Sequence, residues 1–196
     1  MTDMSVTQML FRDAEKSDAR DIAALYRLAA GGVADVVWDG LREDDEDIID
    51  TGARRFAREG EDFSYQNCAM AEYRGRPVGL LHAFPLQSDP NFDPAEVDPV
   101  LRPYAELEQG DSYYIGGIAL KPDFRGRGMG TKMLRLAELR AMTRGFVRMS
   151  LIAFEANKKA VKLYERLGYR TTDSRDIVAH PLIEYEGRAL LMVKEL

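Results

Sequence analysis

One cysteine, one tryptophan and two histidines are all this 196-residue chain contains of those types. A lone Cys68 cannot close an internal disulfide, and His82 and His180 without a second thiol form no metal-ligand cluster, so disulfide scaffolds and zinc centres are excluded. Positive charge is also short: 27 Lys and Arg face 33 Asp and Glu, for a net charge of −6. That balance argues against a nucleic-acid partner, which calls for a basic footprint. No apolar run approaches the ~20 residues of a membrane span, and the N-terminus lacks a basic–apolar–small signal pattern. The expected compartment is therefore a reducing cytoplasm, with no membrane partner. No internal repeat or low-complexity tract appears. What remains is an ordinary globular composition, 45% hydrophobic and 31% charged, on a length that reads as a single domain over residues 1–196.

The organising stretch is residues 118–131. Ile118, Ala119 and Leu120 close an apolar strand that breaks at Pro122. Gly126, Gly128 and Gly130 then alternate with Arg127 and Met129 behind Arg125, and the chain continues through Thr131 into a helix. Glycine lets the backbone turn sharply and approach a ligand closely. The N–H groups that open a helix lack intrahelical partners and sit at its positive end, which suits an anion. Arg125 and Arg127 add donors able to fork onto phosphate oxygens. The pattern reads as a pyrophosphate cradle. It is not a Walker loop, because Gly130 is followed by Thr131, Lys132 and Met133 rather than Lys and then Ser or Thr. Nor is it the dinucleotide fingerprint, since the third glycine falls one residue early.

The rest of the chain alternates strands and helices. Residues 6–12 read as a strand. Ser17 and Asp18 are N-cap candidates for a helix with Ile22, Leu25, Tyr26 and Ala29 on one face, ended by Gly31 and Gly32. Residues 33–40 connect it to a second helix near 45–58, whose acidic start, 43–47, is where negative charge is favoured. Residues 66–73 and 77–84 form a hairpin about Arg74-Gly75-Arg76. Cys68 reads as a small buried hydrophobe, and His82 as a hydrogen-bonded strand histidine or a base near a site. Residues 85–111 hold five of the eight prolines and read as a lid-like insertion with a helix over 95–109. A central strand spans 112–120, and the helix after the glycines runs to about Arg144 with Met129, Met133, Leu136 and Ala137 buried. A strand at 146–153, a helix at 157–167 and strands at 170–178 and 188–194 complete a mixed α/β fold.

The 157–167 helix carries a second constellation. Ala160, Leu163, Tyr164 and Leu167 share one face, and Asn157, its N-cap, lies two turns from Tyr164, roughly 10 Å along the axis. A polar amide and a phenol aligned in this way can bracket a long, thin ligand.

Arg125-x-x-Gly128-x-Gly130 followed by Asn157-x-x-Ala160-x-x-Leu163-Tyr164-x-x-x-Gly168-Tyr169 resembles the paired signature of the GNAT superfamily, the GCN5-related N-acetyltransferases. The opening Phe11-Arg12-Asp13-Ala14 with Asp18, Ala19 and Ile22 is also similar to how many members begin. The resemblance implies a GNAT fold: a mixed, mostly antiparallel sheet splayed at the acetyl-CoA site, with helices on both faces. It implies acetyl-CoA as co-substrate and transfer of acetyl to a primary amine by direct attack on the thioester. The backbone of Ile118, Ala119 and Leu120 would pair with the pantetheine arm, the Ile118 amide would face the thioester carbonyl, residues Arg125 to Thr131 would hold the pyrophosphate, and Asn157 would reach the pantetheine. Tyr164 matches the tyrosine that protonates the leaving thiolate, and a phenol, with its pKa of ~10, keeps that proton at neutral pH. Homodimers are frequent among relatives, but no seam is legible here.

Many relatives carry a glutamate four residues before the position of Ile118, where this chain has Tyr114. Gly116 and Gly117 follow, and a glycine pair inside a strand points to a bulge or to close approach of another group. Water relaying the ammonium proton along a channel lined by Tyr114 is the favoured route, with Tyr113, His82 and Glu155 as alternatives. The acceptor is a small-molecule amine or a protein amine. Acids at 43–47 and 85–111 would steer a cationic one. A non-catalytic acyl-CoA sensor on the same fold is the alternative function, and another nucleotide-binding enzyme is a third.

Overall fold

The computed structural model describes residues 9–196. In chain order these form β1 (Met9–Asp13), α1 (Ala19–Ala30), α2 (Val33–Asp39), α3 (Ile48–Phe56), β2 (Cys68–Tyr73), β3 (Arg76–Leu86), α4 (Arg102–Ala105) and β4 (Ser112–Leu120). They continue with α5 (Met129–Thr143), β5 (Arg148–Phe154), α6 (Lys158–Arg166), β6 (Arg170–Asp176) and β7 (Arg188–Glu195). The strands make one seven-stranded sheet in the order β1-β2-β3-β4-β5-β7-β6. It is mixed: β1–β2, β2–β3, β5–β7 and β6–β7 are antiparallel and β4–β5 is parallel. Residues 6–8 of the expected first strand lie outside the described residues.

The chain divides into two compact units. One holds the described residues up to Ala83 together with Gly117–Met133, the other Phe84–Gly116 and Leu134–Leu196.

In the first unit, the helical periodicity of α1 buries Ile22 and Leu25 against Trp38, Phe56, Met70 and Leu80. Gly31 ends α1 in the left-handed conformation. Asp18 occupies the α1 N-cap position without capping it. Its carboxylate instead takes both terminal nitrogens of the Arg12 guanidinium, at 2.6 and 2.8 Å, and the Glu15 amide at 2.7 Å, because charge-assisted forks outcompete a single neutral amide. The segment 33–40, expected as a connection, contains helix α2. Three valines hide its periodicity from propensity, but Ala34 and Trp38, one turn apart, both enter the core. The acids before α3 serve that helix: Asp47 accepts from the Ile49 amide, and Glu46 takes Arg54 and Thr51. The β2–β3 hairpin turns on Arg74 and Gly75, both at positive φ, as a two-residue primed turn requires.

The second unit builds its core from Leu107, Ala189 and Leu191. The insertion contains a short turn at Pro94–Glu96 and the four-residue α4, not one helix over 95–109. Pro99 and Pro103 deny the ladder two N–H donors, so the helix cannot run through. Arg175 pins the insertion through Glu106 at 2.8 Å. On α5, Leu134 is buried and Leu136 half-exposed. Met129, Met133 and Ala137 are buried as expected, so the apolar stripe keeps its place and only Leu136 gives way, to Leu134.

Candidate active site

The glycine turn belongs to the first unit and is tied down at each end. The Lys121 amide donates to Val78 on β3 at 2.8 Å, Arg125 Nε donates to the Leu120 carbonyl at 2.8 Å, and the Lys132 amide reaches Gly128 at 3.2 Å. Phe124 packs on Tyr73 with ring centroids 5.4 Å apart. Between these ties, Gly126 and Gly128 adopt φ of 74° and 76°, and a Cβ built on either meets nothing within 4 Å. Those glycines therefore answer to backbone conformation and leave open space above the turn. The Lys132–Gly128 bond is the first of α5, so the amides of Met129, Gly130 and Thr131 are its unpaired opening donors. The buried Met129 side chain holds that helix end in place. Arg125 spends its Nε on the strand end, so only its terminal nitrogens remain to reach an anion.

Ile118, Ala119 and Leu120 end β4. Within the second unit, β4 pairs with β5 in parallel through Tyr113–Met149, Tyr114–Ser150 and Ile115–Leu151. Gly117 sits where α1 comes closest. A Cβ there would lie 2.8 Å from Tyr26 Cε2 and 2.9 Å from Cδ2. The glycine pair thus marks close approach of an aromatic ring.

In the second unit, Asn157 is the N-cap of α6, its side chain accepting from the Ala160 amide at 3.2 Å. Any ligand contact falls to its Nδ2 group. Tyr164 lies on the buried face with its ring 6.0 Å from Tyr169. Burial alone pushes its phenol up to about 12, so it holds its proton throughout the physiological range.

The candidate bases separate by environment. His82 is fully buried among Tyr26, Phe56 and Phe63, with Nε2 2.9 Å from the Asp62 carbonyl. Desolvation lowers it to about 4. It is the hydrogen-bonded strand histidine of the two readings. Tyr113 is buried and takes Arg144 at 3.3 Å. Tyr114 is nearly buried, edge-on to Phe84 at 5.5 Å. Glu155 is half-exposed, 3.9 Å from Lys158.

Residues 34–169 match the Acetyltransferase (GNAT) family. The chain belongs to this family. A mycothiol acetyltransferase of Rhodococcus opacus (strain B4) is 31% identical over 172 residues, covering 77% of this chain and 53% of the relative. This GNAT chain therefore spans about half the length of that protein. Among solved structures, an acetyltransferase aligns over 95% of this chain and 98% of its own with a TM-score of 0.64 at 22% identity. A GNAT acetyltransferase from Elizabethkingia anophelis with acetyl-CoA bound aligns over 96% and 99%, with a TM-score of 0.58 at 17% identity. These likenesses establish the GNAT fold. Acetyl-CoA is the acyl donor of the family. Among the described residues, no group of His, Cys, Asp and Glu can hold a metal, and no helix is long and apolar enough to cross a membrane.

Three groupings escaped sequence reasoning. Tyr26 reaches Gly117 across 91 positions, and only the glycine pair signalled that something came close. Arg55 lies over the Phe63 ring at 4.3 Å. Tyr185 stacks on Phe154 at 4.4 Å and 18°, with Tyr104 edge-on at 6.1 Å. None of these has a spacing that a linear pattern could reveal.

Proposed function

We propose that this GNAT protein is an N-acetyltransferase that moves acetyl from acetyl-CoA to a primary amine. Acetyl-CoA supplies an activated acetyl thioester: the amine nitrogen bonds to the acetyl carbon as the carbon–sulfur bond breaks. The reading rests on the glycine turn, where three unpaired helix-opening amides follow two left-handed glycines with nothing above them. Such a cradle fits a diphosphate. Met129, Gly130 and Thr131 would donate through their amides, with Gly126 and Gly128 clearing the approach and Arg125 and Arg127 adding charge.

The backbone of Ile118, Ala119 and Leu120 would take the pantetheine arm, and the Ile118 amide would face the thioester carbonyl. Asn157 would donate to the same arm through Nδ2. Tyr164 would give its proton to the departing sulfur, a role its raised pKa permits because the phenol stays neutral until needed. The amine must lose a proton as well. Tyr114 and two side-chain-free glycines leave no carboxylate at the relatives' position, so water carries that proton outward.

The test joins calorimetry with CoA to thiol release across a panel of amines. CoA binding with thiol release on at least one amine supports the reading. CoA binding without transfer to any amine would instead favour a non-catalytic acyl-CoA-binding protein.

A further inference from the structure

Arg55 on α3 is half-buried, with its guanidinium 4.3 Å above the Phe63 ring and its Nε sealed from solvent without a hydrogen-bond partner. No carboxylate pairs with it among the described residues. Other arginines of the same unit are satisfied: Arg12 by Asp18 and Glu72, Arg27 by Asp35, Arg54 by Glu46. Burial is the largest influence on Arg55 and weakens its hold on the proton. Tyr26 and Glu61 act in the opposite sense and Arg58 with it. A half-buried guanidinium without a counter-ion carries a cost that a bound anion would relieve.

The surroundings indicate which charge. Phe63 also contacts Tyr26 at 5.9 Å, and the Tyr26 ring is the one pressed against Gly117. Arg55 is therefore linked, through two aromatic rings of its own unit, to the β4 backbone one residue before Ile118. A guanidinium stacked on an aromatic face presents a rigid, planar fork that matches a carboxylate in two hydrogen bonds. A phosphate dianion would ask for more donors than this single cation offers.

Resting on the acetyltransferase reading, we propose that Arg55 receives a carboxylate of the acceptor, so that the amine substrate is an amino acid. Of the acids expected to steer a cationic acceptor, Glu46 and Asp47 are engaged by α3 itself.

The test is binding of the twenty L-amino acids and their primary amides, measured by calorimetry in the presence of CoA, with no turnover required. At least one amino acid should bind, its amide at least tenfold more weakly. Arg55→Gln should lose the same tenfold or more while leaving CoA affinity unchanged. Arg55→Lys, which keeps the charge without the fork, covers the case of a misfolded Gln variant and should bind at intermediate strength. No amino acid binding, equal binding of acid and amide, or wild-type affinity in both variants would overturn the assignment. Amino acid binding without thiol release would leave the carboxylate site standing and remove the acetyltransferase reading instead.

Discussion

Tyr26 lies so close to Gly117 that a single added carbon would sit 2.8 Å from its ring. Helix α1 and strand β4 are thereby joined at one point, and the absence of a side chain on one partner is what permits it. Gly117→Ala must push Tyr26 out of its contacts with Phe56, Phe63 and His82. Overpacking of this kind costs about 1–3 kcal/mol. Chemical denaturation should show a loss in that range, and a Gly117→Ala protein as stable as wild type would contradict the packing described.

Tyr164→Phe removes a proton donor while keeping the ring that packs on Tyr169. Turnover should fall on the order of 10²-fold or more, the usual contribution of a positioned acid, with CoA affinity unchanged by calorimetry. Because burial holds the phenol at about 12, the kcat profile of the wild type should show no alkaline limb from this group below about pH 10.

Replacing Gly126 or Gly128 by Ala forces a side chain into the left-handed region, which costs roughly 1–2 kcal/mol per residue. Neither Cβ would clash, so the backbone, not packing, should give way. Both variants should remain folded and lose affinity for CoA, and an Ala variant that binds CoA like wild type would argue against the cradle.

His82 gives the pH dependence of stability a defined sign. Its value drops from 6.5 to about 4 on burial, so the unfolded chain binds the extra proton between those limits. The stabilisation is complete above about pH 6.5, declines as pH falls and is gone below about pH 4, amounting to about 3 kcal/mol in all. Glu46, held at about 2 by Arg54, adds its own loss only below about pH 4.5. Unfolding midpoints measured from pH 7 to 4.5 should therefore slope downward for the wild type and flatten in His82→Gln. Equal slopes would assign the titration elsewhere.

The sequence alone determined the features written in consecutive residues. The glycine turn, the Asn157 cap, the hairpin about Arg74 and Gly75, the central strand and the helix after it all arise from local rules of backbone freedom and apolar period. These rules act within a few residues, so a linear reading sees them whole, and here they extended to the family. The same rules failed where neighbours decided. Helix α2 exists because Ala34 and Trp38 find a core to enter, and propensity alone does not predict it. Asp18 left its cap for Arg12. Proline cut the insertion into a short turn and the four-residue α4.

Tertiary structure alone decided which side chains share a site. Arg55 meets Phe63, Tyr26 meets Gly117 and Tyr185 meets Phe154 across spacings that no periodicity encodes. The cost of burying a charge, or the gain from stacking two rings, depends on what the folded chain brings into contact, and that is set only once the elements have packed.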